Sequence, residues 1–196
     1  MIKRSGVVLA MAALVSGLPT VAVASSDVPA AKHTVLGKYL SSKEAYERIT
    51  GDRAKILFLD VRTGGELMFV GGTNETDAVV PFVEMKEPVA WDDKSGRFQL
   101  VPNASFVTAV DAARNKKSLS KTDMVMVMCR SGERSAKAVN ALAATGYTNV
   151  WSVHDGFEGD LSKEGRRTLN GWKNASLPWS YKLDKSKFLI GFGLGN

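Results

Sequence analysis

The chain has 196 residues, with 26 Lys and Arg against 20 Asp and Glu, and its formal net charge is +6. No cluster of basic residues with interleaved aromatic residues occurs, so the weak positive charge suits small anions and argues against a nucleic-acid partner. One cysteine cannot form an internal disulfide, and two distant histidines have no metal-ligand spacing, so we expect no metal and no cofactor.

Residues 1–24 are predicted to be a secretory signal peptide. Lys3 and Arg4 form a basic start, residues 7–15 form an apolar run, and residues 22–24 match the small-x-small pattern that precedes a cleavage site. The apolar run is much shorter than the roughly 20 residues that a membrane-spanning helix needs. We therefore expect cleavage near Ala24, a periplasmic or secreted protein, and no membrane span in the mature chain.

The rest of the chain is predicted to hold one domain. Residues 25–38 are small and polar and predict a tether, residues 39–184 form the domain, and residues 185–196 form a C-terminal tail. Inside the domain, the turn-rich stretch between Trp91 and Phe98 predicts a hairpin or an excursion of the chain.

Apolar runs along the domain predict strands of a buried parallel sheet, because such strands are apolar on both faces. They cover residues 55–61, 78–81, 124–128 and 150–153. The patterns between them predict a helix from the capping box of Ser41 and Glu44 to Thr50, a short helix or turn over 66–70, a helix capped by Asn103, and a helix over 135–145 before Gly146. This alternation predicts an α/β domain with a central parallel sheet and helices on both faces.

The solitary Cys129 is the strongest functional signal. It follows the strand predicted over 124–128 and precedes a predicted helix, so it lies at the carboxyl edge of the sheet, where sites form in open parallel sheets. The helix N-terminus favours the nucleophilic thiolate, and Arg130 and Arg134 act in the same direction. The alternative is a buried structural cysteine, but such a residue has no use for flanking guanidinium groups. Asp60 closes another strand, and we expect it at the same edge.

Three segments of the chain resemble the rhodanese (sulfurtransferase) family. They are Leu59-Asp60-Val61-Arg62 followed by Glu66, the loop Cys129-Arg130-Ser131-Gly132-Glu133-Arg134-Ser135, and a closing segment made of Gly146-Tyr147, residues 150–156, Gly171-Trp172 and Leu177-Pro178. Together they span most of residues 40–180 and resemble a single rhodanese-like domain. The loop motif is specific, whereas the first segment alone is a weak signal.

The chain departs from the family pattern at two places. Many members follow the early Glu with a Gly-His-Ile-Pro-Gly-Ala run, whereas here Gly71-Gly72 leads into residues 73–77 without a histidine. The stretch of residues 82–101 is also longer than usual. Both departures lie at the edge of the expected site, so the structure of residues 71–102 stays open.

The resemblance implies that Cys129 is the catalytic nucleophile of a sulfurtransferase. Its thiolate would take the outer sulfur of an anionic donor, thiosulfate or a persulfide, and hold it until a thiol, cyanide or an exported partner protein accepts it. The expected substrate-binding residues are Arg130, Ser131, Gly132, Glu133, Arg134 and Ser135. The expected supporting residues are Asp60, Arg62 and Glu66. The backbone N–H groups of the loop should converge on the sulfur, because Gly132 allows a tight turn.

The charged residues of the loop have different expected roles. Arg134 is expected to hold the anionic donor through a two-pronged contact. For Arg130, either donor binding or a structural pair with Asp60 or Glu66 fits the sequence. Glu133 repels thiosulfate, which favours a neutral persulfide or a protein partner as the natural donor.

Two other functions stay open. Some dual-specificity phosphatases resemble this fold and loop, but they place the arginine six positions after the cysteine, whereas Arg134 comes five after Cys129 and Ser135 occupies the sixth position. A shorter loop fits a sulfur atom better than a phosphate. The second alternative is a persulfide carrier that loads once for a dedicated partner, which would use the same loop as an enzyme.

Overall fold

The computed structural model describes residues 27–188. The predicted signal peptide and the end of the predicted tail lie outside the described residues. No helix between residues 27 and 188 combines the length and the apolar character that crossing a membrane requires.

A five-stranded parallel sheet forms the centre of the domain. The strands in chain order are β1 (Tyr39–Leu40), β2 (Ile56–Asp60), β3 (Ala78–Val79), β4 (Val83–Met85), β5 (Trp91–Asp92), β6 (Arg97–Phe98), β7 (Leu100–Pro102), β8 (Met124–Met128) and β9 (Val150–Val153). The central sheet has the order β1-β9-β8-β2-β3, and every pairing in it is parallel. The predicted α/β class and parallel sheet are confirmed. The edge strand β1 was missed because two residues are too few to show a period.

Four α-helices accompany the strands of the described chain: α1 (Ser42–Asp52), α2 (Gly64–Val70), α3 (Phe106–Lys116) and α4 (Glu133–Ala143). The capping box of Ser41 and Glu44 is formed as predicted, but α1 runs past Gly51 to Asp52. The predicted cap of α3 is wrong. Ser105 holds the N-cap position, and the Asn103 side chain instead accepts a hydrogen bond from the Ser105 N–H at 2.9 Å.

The sheet buries apolar side chains on both faces, as predicted. One face packs against α3 and α4, and Leu57, Val127 and Leu142 lie in that core. The other face packs against α1 and the chain after β9, and Phe58 and the fully buried Trp172 lie there. Because helices and loops cover both faces, the carboxyl edge of the sheet is left for a site.

The predicted hairpin is present and belongs to a longer excursion. β5 pairs with β6, and β4 pairs with β7, both antiparallel, so one ladder is nested inside the other. We call residues 83–102 the arm. Trp91 and Phe98 stack edge to face at 5.4 Å, which holds the tip of the arm together.

The segment predicted as a tether packs against the domain from residue 27 onward. Val28 is buried, and the ammonium of the buried Lys32 lies 2.6 Å from the carboxylate of Asp160. The Val35 N–H donates to the side chain of Asn140 in α4. These contacts place the segment beside the loop that follows β8.

Candidate functional site

Cys129 lies in the tight loop between the end of β8 and the start of α4. Its Sγ accepts hydrogen bonds from the backbone N–H groups of Gly132, at 3.2 Å, and Ser135, at 3.3 Å. Gly132 is the N-cap residue of α4, so the sulfur sits at the positive end of that helix. The expected convergence of loop N–H groups on the sulfur is therefore observed for these two groups.

The loop can close only around a glycine at position 132. Gly132 has a φ of +99°, and a Cβ there would lie 2.1 Å from the backbone oxygen of His154 and 3.0 Å from Cδ of Lys32. The end of β9 and the N-terminal segment therefore press directly on the loop. Their packing sets its shape and the positions of its N–H groups.

The Cys129 side chain is buried, but a cavity reaches it. The residue is 1% exposed and belongs to the apolar core of one sheet face. It also lines a cavity of about 310 Å³, and the exposed side chains of Arg97 and Glu133 line the same cavity. The cavity thus extends from Cys129 to exposed side chains, an arrangement that a purely structural cysteine does not need.

Asp60 and Arg62 form a buried ion pair beside this loop. Asp60 ends β2 and is paired in register with Met128, the residue before Cys129, so the two strand ends share one edge as expected. The Arg62 guanidinium is fully buried and contacts the Asp60 carboxylate with two nitrogens, the shortest distance being 2.7 Å. It also lies 3.9 Å from the centre of the Phe157 ring. Neither charged group lines the cavity, so the pair acts as support.

Glu66 holds Arg134, and this changes the roles predicted for the two loop arginines. The guanidinium of Arg134 donates to both Glu66 oxygens, at 2.7 and 2.5 Å. Glu66 is fixed at the start of α2 by its capping box with Thr63. The structural pair that was one alternative for Arg130 is thus made by Arg134, because the first turn of α4 faces the first turn of α2.

Arg130 has neither of the carboxylate partners considered for it. Asp60 pairs with Arg62 and Glu66 pairs with Arg134, and no salt bridge to Arg130 exists between residues 27 and 188. Its side chain is half-buried and lines the cavity beside Cys129. This position leaves the charge of Arg130 available to an anion in the cavity.

The other predicted loop residues divide between the cavity and the core. Ser131 and Glu133 line the cavity, and Glu133 is exposed at its rim. Ser135 is fully buried in the first turn of α4, where its N–H bonds to the sulfur and its hydroxyl has no hydrogen-bond partner. Glu133 therefore adds one negative charge to a cavity whose other charged lining residues are basic.

The comparison with known families agrees with this geometry. The sequence model of the rhodanese-like domain matches residues 41–163, which include the ends of β2 and β8 and the cysteine loop. The chain belongs to the rhodanese-like family. This is a family of the sulfurtransferase type.

Relatives of this rhodanese-like protein occur in Rickettsia. The uncharacterized protein RP600 of Rickettsia prowazekii is 29% identical over 147 residues, which cover 75% of this chain and 100% of the relative. The uncharacterized protein RC0915 of Rickettsia conorii is 31% identical over 143 residues, which cover 72% and 96%. Among solved structures, Rv0390 from M. tuberculosis is similar, with 26% identity, a TM-score of 0.56, and coverage of 74% of this chain and 98% of that one.

Sequence reasoning did not predict several residues that line the cavity. The cavity is also lined by Phe82, Val83, Arg97, Leu100, Pro102 and Lys137. Lys137 follows Glu133 by four positions on α4, so helical spacing could have placed it near the loop. No sequence signal could place the arm residues there, because their approach to Cys129 depends on how the arm packs.

The Glu66–Arg134 pair predicts a specific loss of stability in acid. Burial alone would raise the pKa of Glu66, but the hydrogen bonds and charge of Arg134, together with Thr63, lower the pKa from 4.5 to about 2. Because folding lowers this pKa, the ionised Glu66 stabilises the folded protein fully at pH values above 4.5. That stabilisation is lost as the pH falls towards 2. We expect Glu66→Gln to cost about 2 kcal/mol at neutral pH and much less near pH 3, measured by urea unfolding.

Arg134→Met provides the reciprocal control, because it removes the same pair from the other side. Without Arg134, the strongest interactions that lower the pKa of Glu66 are lost, so this variant should also lose the decrease in stability that the wild type shows towards pH 3. Curves for both variants that run parallel to that of the wild type between about pH 6 and pH 3 would contradict the assignment.

Proposed function

We propose that the protein is an exported sulfurtransferase that carries sulfane sulfur on Cys129. The observation that supports this most is the setting of Cys129, whose Sγ accepts hydrogen bonds from the N–H groups of Gly132 and Ser135 and which lines a cavity. N–H groups at a helix N-terminus stabilise an anionic sulfur. Membership of the rhodanese-like family agrees with this chemistry.

The proposed reaction has two transfer steps. The Cys129 thiolate attacks the outer sulfur of thiosulfate or a persulfide, the donor's S–S bond breaks, and the electron pair leaves with sulfite or a thiolate. Cys129 then carries a persulfide. An acceptor, a thiolate or cyanide, attacks the outer sulfur of that persulfide, and the electron pair of the broken bond returns to Cys129. No outside oxidant or reductant is needed.

The charges around the cavity suggest how the donor binds. Arg134 is neutralised by Glu66, so Arg130 is the loop arginine that faces the donor anion. Glu133 at the rim opposes an anionic donor, whereas Arg97 and Lys137, which line the same cavity, attract it. The proposal therefore admits both thiosulfate and a persulfide as donors.

Intact-mass spectrometry after incubation with thiosulfate tests the proposal. We expect the wild-type protein to gain one sulfur atom, and Cys129→Ser and Cys129→Ala to gain none. Added cyanide should remove that sulfur as thiocyanate. No mass gain, together with a thiol inert to iodoacetamide at neutral pH, would contradict the proposal.

Two extensions of this experiment separate the alternatives. Thiocyanate formed over many cycles indicates an enzyme, whereas one equivalent per protein indicates a carrier. Hydrolysis of an aryl phosphate that disappears in Cys129→Ser would favour the phosphatase. Export is proposed from the pattern of residues 1–24, and the mass of the protein isolated from its native cells should correspond to cleavage after Ala24.

A further inference from the structure

The cavity above Cys129 continues beyond the space that a small inorganic donor occupies. A second cavity of about 230 Å³ adjoins it, and Arg97, Leu100, Arg130 and Arg134 line both. The two cavities are therefore neighbours that together extend from Cys129 towards the arm, and we call them the groove. Thiosulfate would fill only the end near Cys129. Together the cavities reach the range in which proteins hold small organic ligands.

The groove has an apolar wall along the arm. Val83 and Leu100 line the part near Cys129, and Met85 and Phe98 line the outer part. Phe98 and Met85 are about half exposed, at 49% and 46%. This wall suits a short hydrocarbon chain between a sulfur atom at Cys129 and a polar group farther out.

Arg97 is the charged group that the arm adds to this wall. It belongs to β6 and lines both parts of the groove. Asp92 lies opposite it in the hairpin and interacts with its charge, but the hydrogen bonds of the Asp92 carboxylate come from Ser95 and from the Lys94 N–H. No salt bridge to Arg97 exists between residues 27 and 188, in contrast to Arg134, which Glu66 neutralises.

We propose that Arg97 determines specificity for organic thiol acceptors that carry a carboxylate. The acceptor thiolate attacks the outer sulfur of the Cys129 persulfide, the S–S bond to Cys129 breaks, and its electron pair stays on Cys129. The hydrocarbon chain lies along Val83 and Leu100, and the carboxylate binds the Arg97 guanidinium. This inference rests on the proposed function and names the substrate class of the second step.

The test compares two acceptors of equal length on persulfide-loaded protein. One is a mercaptoalkanoate and the other is the mercaptoalkanol with the same number of carbons. Loss of the persulfide is followed by rapid quenching and intact mass. Arg97→Met should lower the ratio of the two rate constants about three- to tenfold, because a partly exposed charge-assisted contact is lost. Using the ratio cancels any effect of the substitution on loading.

Lys94→Met is the matched control. It removes one positive charge from the same hairpin, but Lys94 does not line the groove. Its ratio should equal that of the wild type. A ratio unchanged in Arg97→Met, or lowered equally in Lys94→Met, overturns the inference. If cyanide removes the persulfide sulfur but neither thiol does, the inference is overturned and the proposed function is not. If the protein loads no sulfur at all, the proposed function is overturned as well.

Discussion

Replacing Arg62 by methionine is expected to lower the free energy of unfolding by about 3–5 kcal/mol. The Arg62 side chain has no exposed surface, and the side chain of its partner Asp60 is 1% exposed. The substitution removes both contacts of the guanidinium with the carboxylate. The Asp60 carboxylate would then stay buried away from water, with the backbone N–H of residue 62 as its remaining partner. Urea unfolding at neutral pH measures the loss.

A double replacement separates the unpaired charge from the loss of packing. Asp60→Asn combined with Arg62→Met removes both charges, so it should be less destabilised than Arg62→Met alone. The Arg62 guanidinium also packs on the Phe157 ring. Because both variants lose this packing, the double variant should not regain the full stability of the wild type. A double variant less stable than the single one would refute the assignment.

Gly132→Ala is expected to slow persulfide formation about 100-fold and to cost about 2–4 kcal/mol of stability. The new Cβ would lie 2.1 Å from the backbone oxygen of His154, so the loop must move. Movement takes the Gly132 N–H away from the sulfur, which it now contacts at 3.2 Å. The rate of persulfide formation can be measured by quenching reactions with thiosulfate at different times and determining the intact mass of the protein.

Gly146→Ala is the matched control for this prediction. Gly146 has a φ of +91°, close to that of Gly132, but a Cβ there would meet no atom within 4 Å. The Gly146→Ala variant should therefore lose only the stability that an alanine costs at a positive φ, about 1 kcal/mol. Its rate of persulfide loading should equal that of the wild type. If both variants load at the wild-type rate, the contact with His154 does not position the loop.

Local patterns in the sequence predicted most elements of the fold. The bounds of β8 and β9 agree with the prediction, because each is a short apolar run between polar residues. The capping box of α1 was also predictable, since its partners are three residues apart. The cap of α3 was not, because Asn103 and Ser105 are both suitable residues and only the backbone path chooses between them.

The same distinction applies to the candidate site. The order strand, Cys129, helix is visible in the sequence, and it places the thiol at a helix N-terminus and at the edge of a parallel sheet. The adjacency of Asp60 follows from that edge. The partner of each arginine did not follow, because Arg130 and Arg134 are equally plausible partners for Glu66 when only their spacing is known.

The amino-acid sequence by itself determined the cysteine loop, its tight turn at Gly132 and the α/β class, because these depend on residues that are neighbours along the chain. Only the tertiary structure decided that Glu66 binds Arg134 and leaves Arg130 facing the cavity, since the two partners are 68 positions apart. It likewise decided that the arm brings Arg97 to the groove above Cys129. Such contacts depend on how the helices and strands pack against one another, and no local sequence pattern encodes that packing.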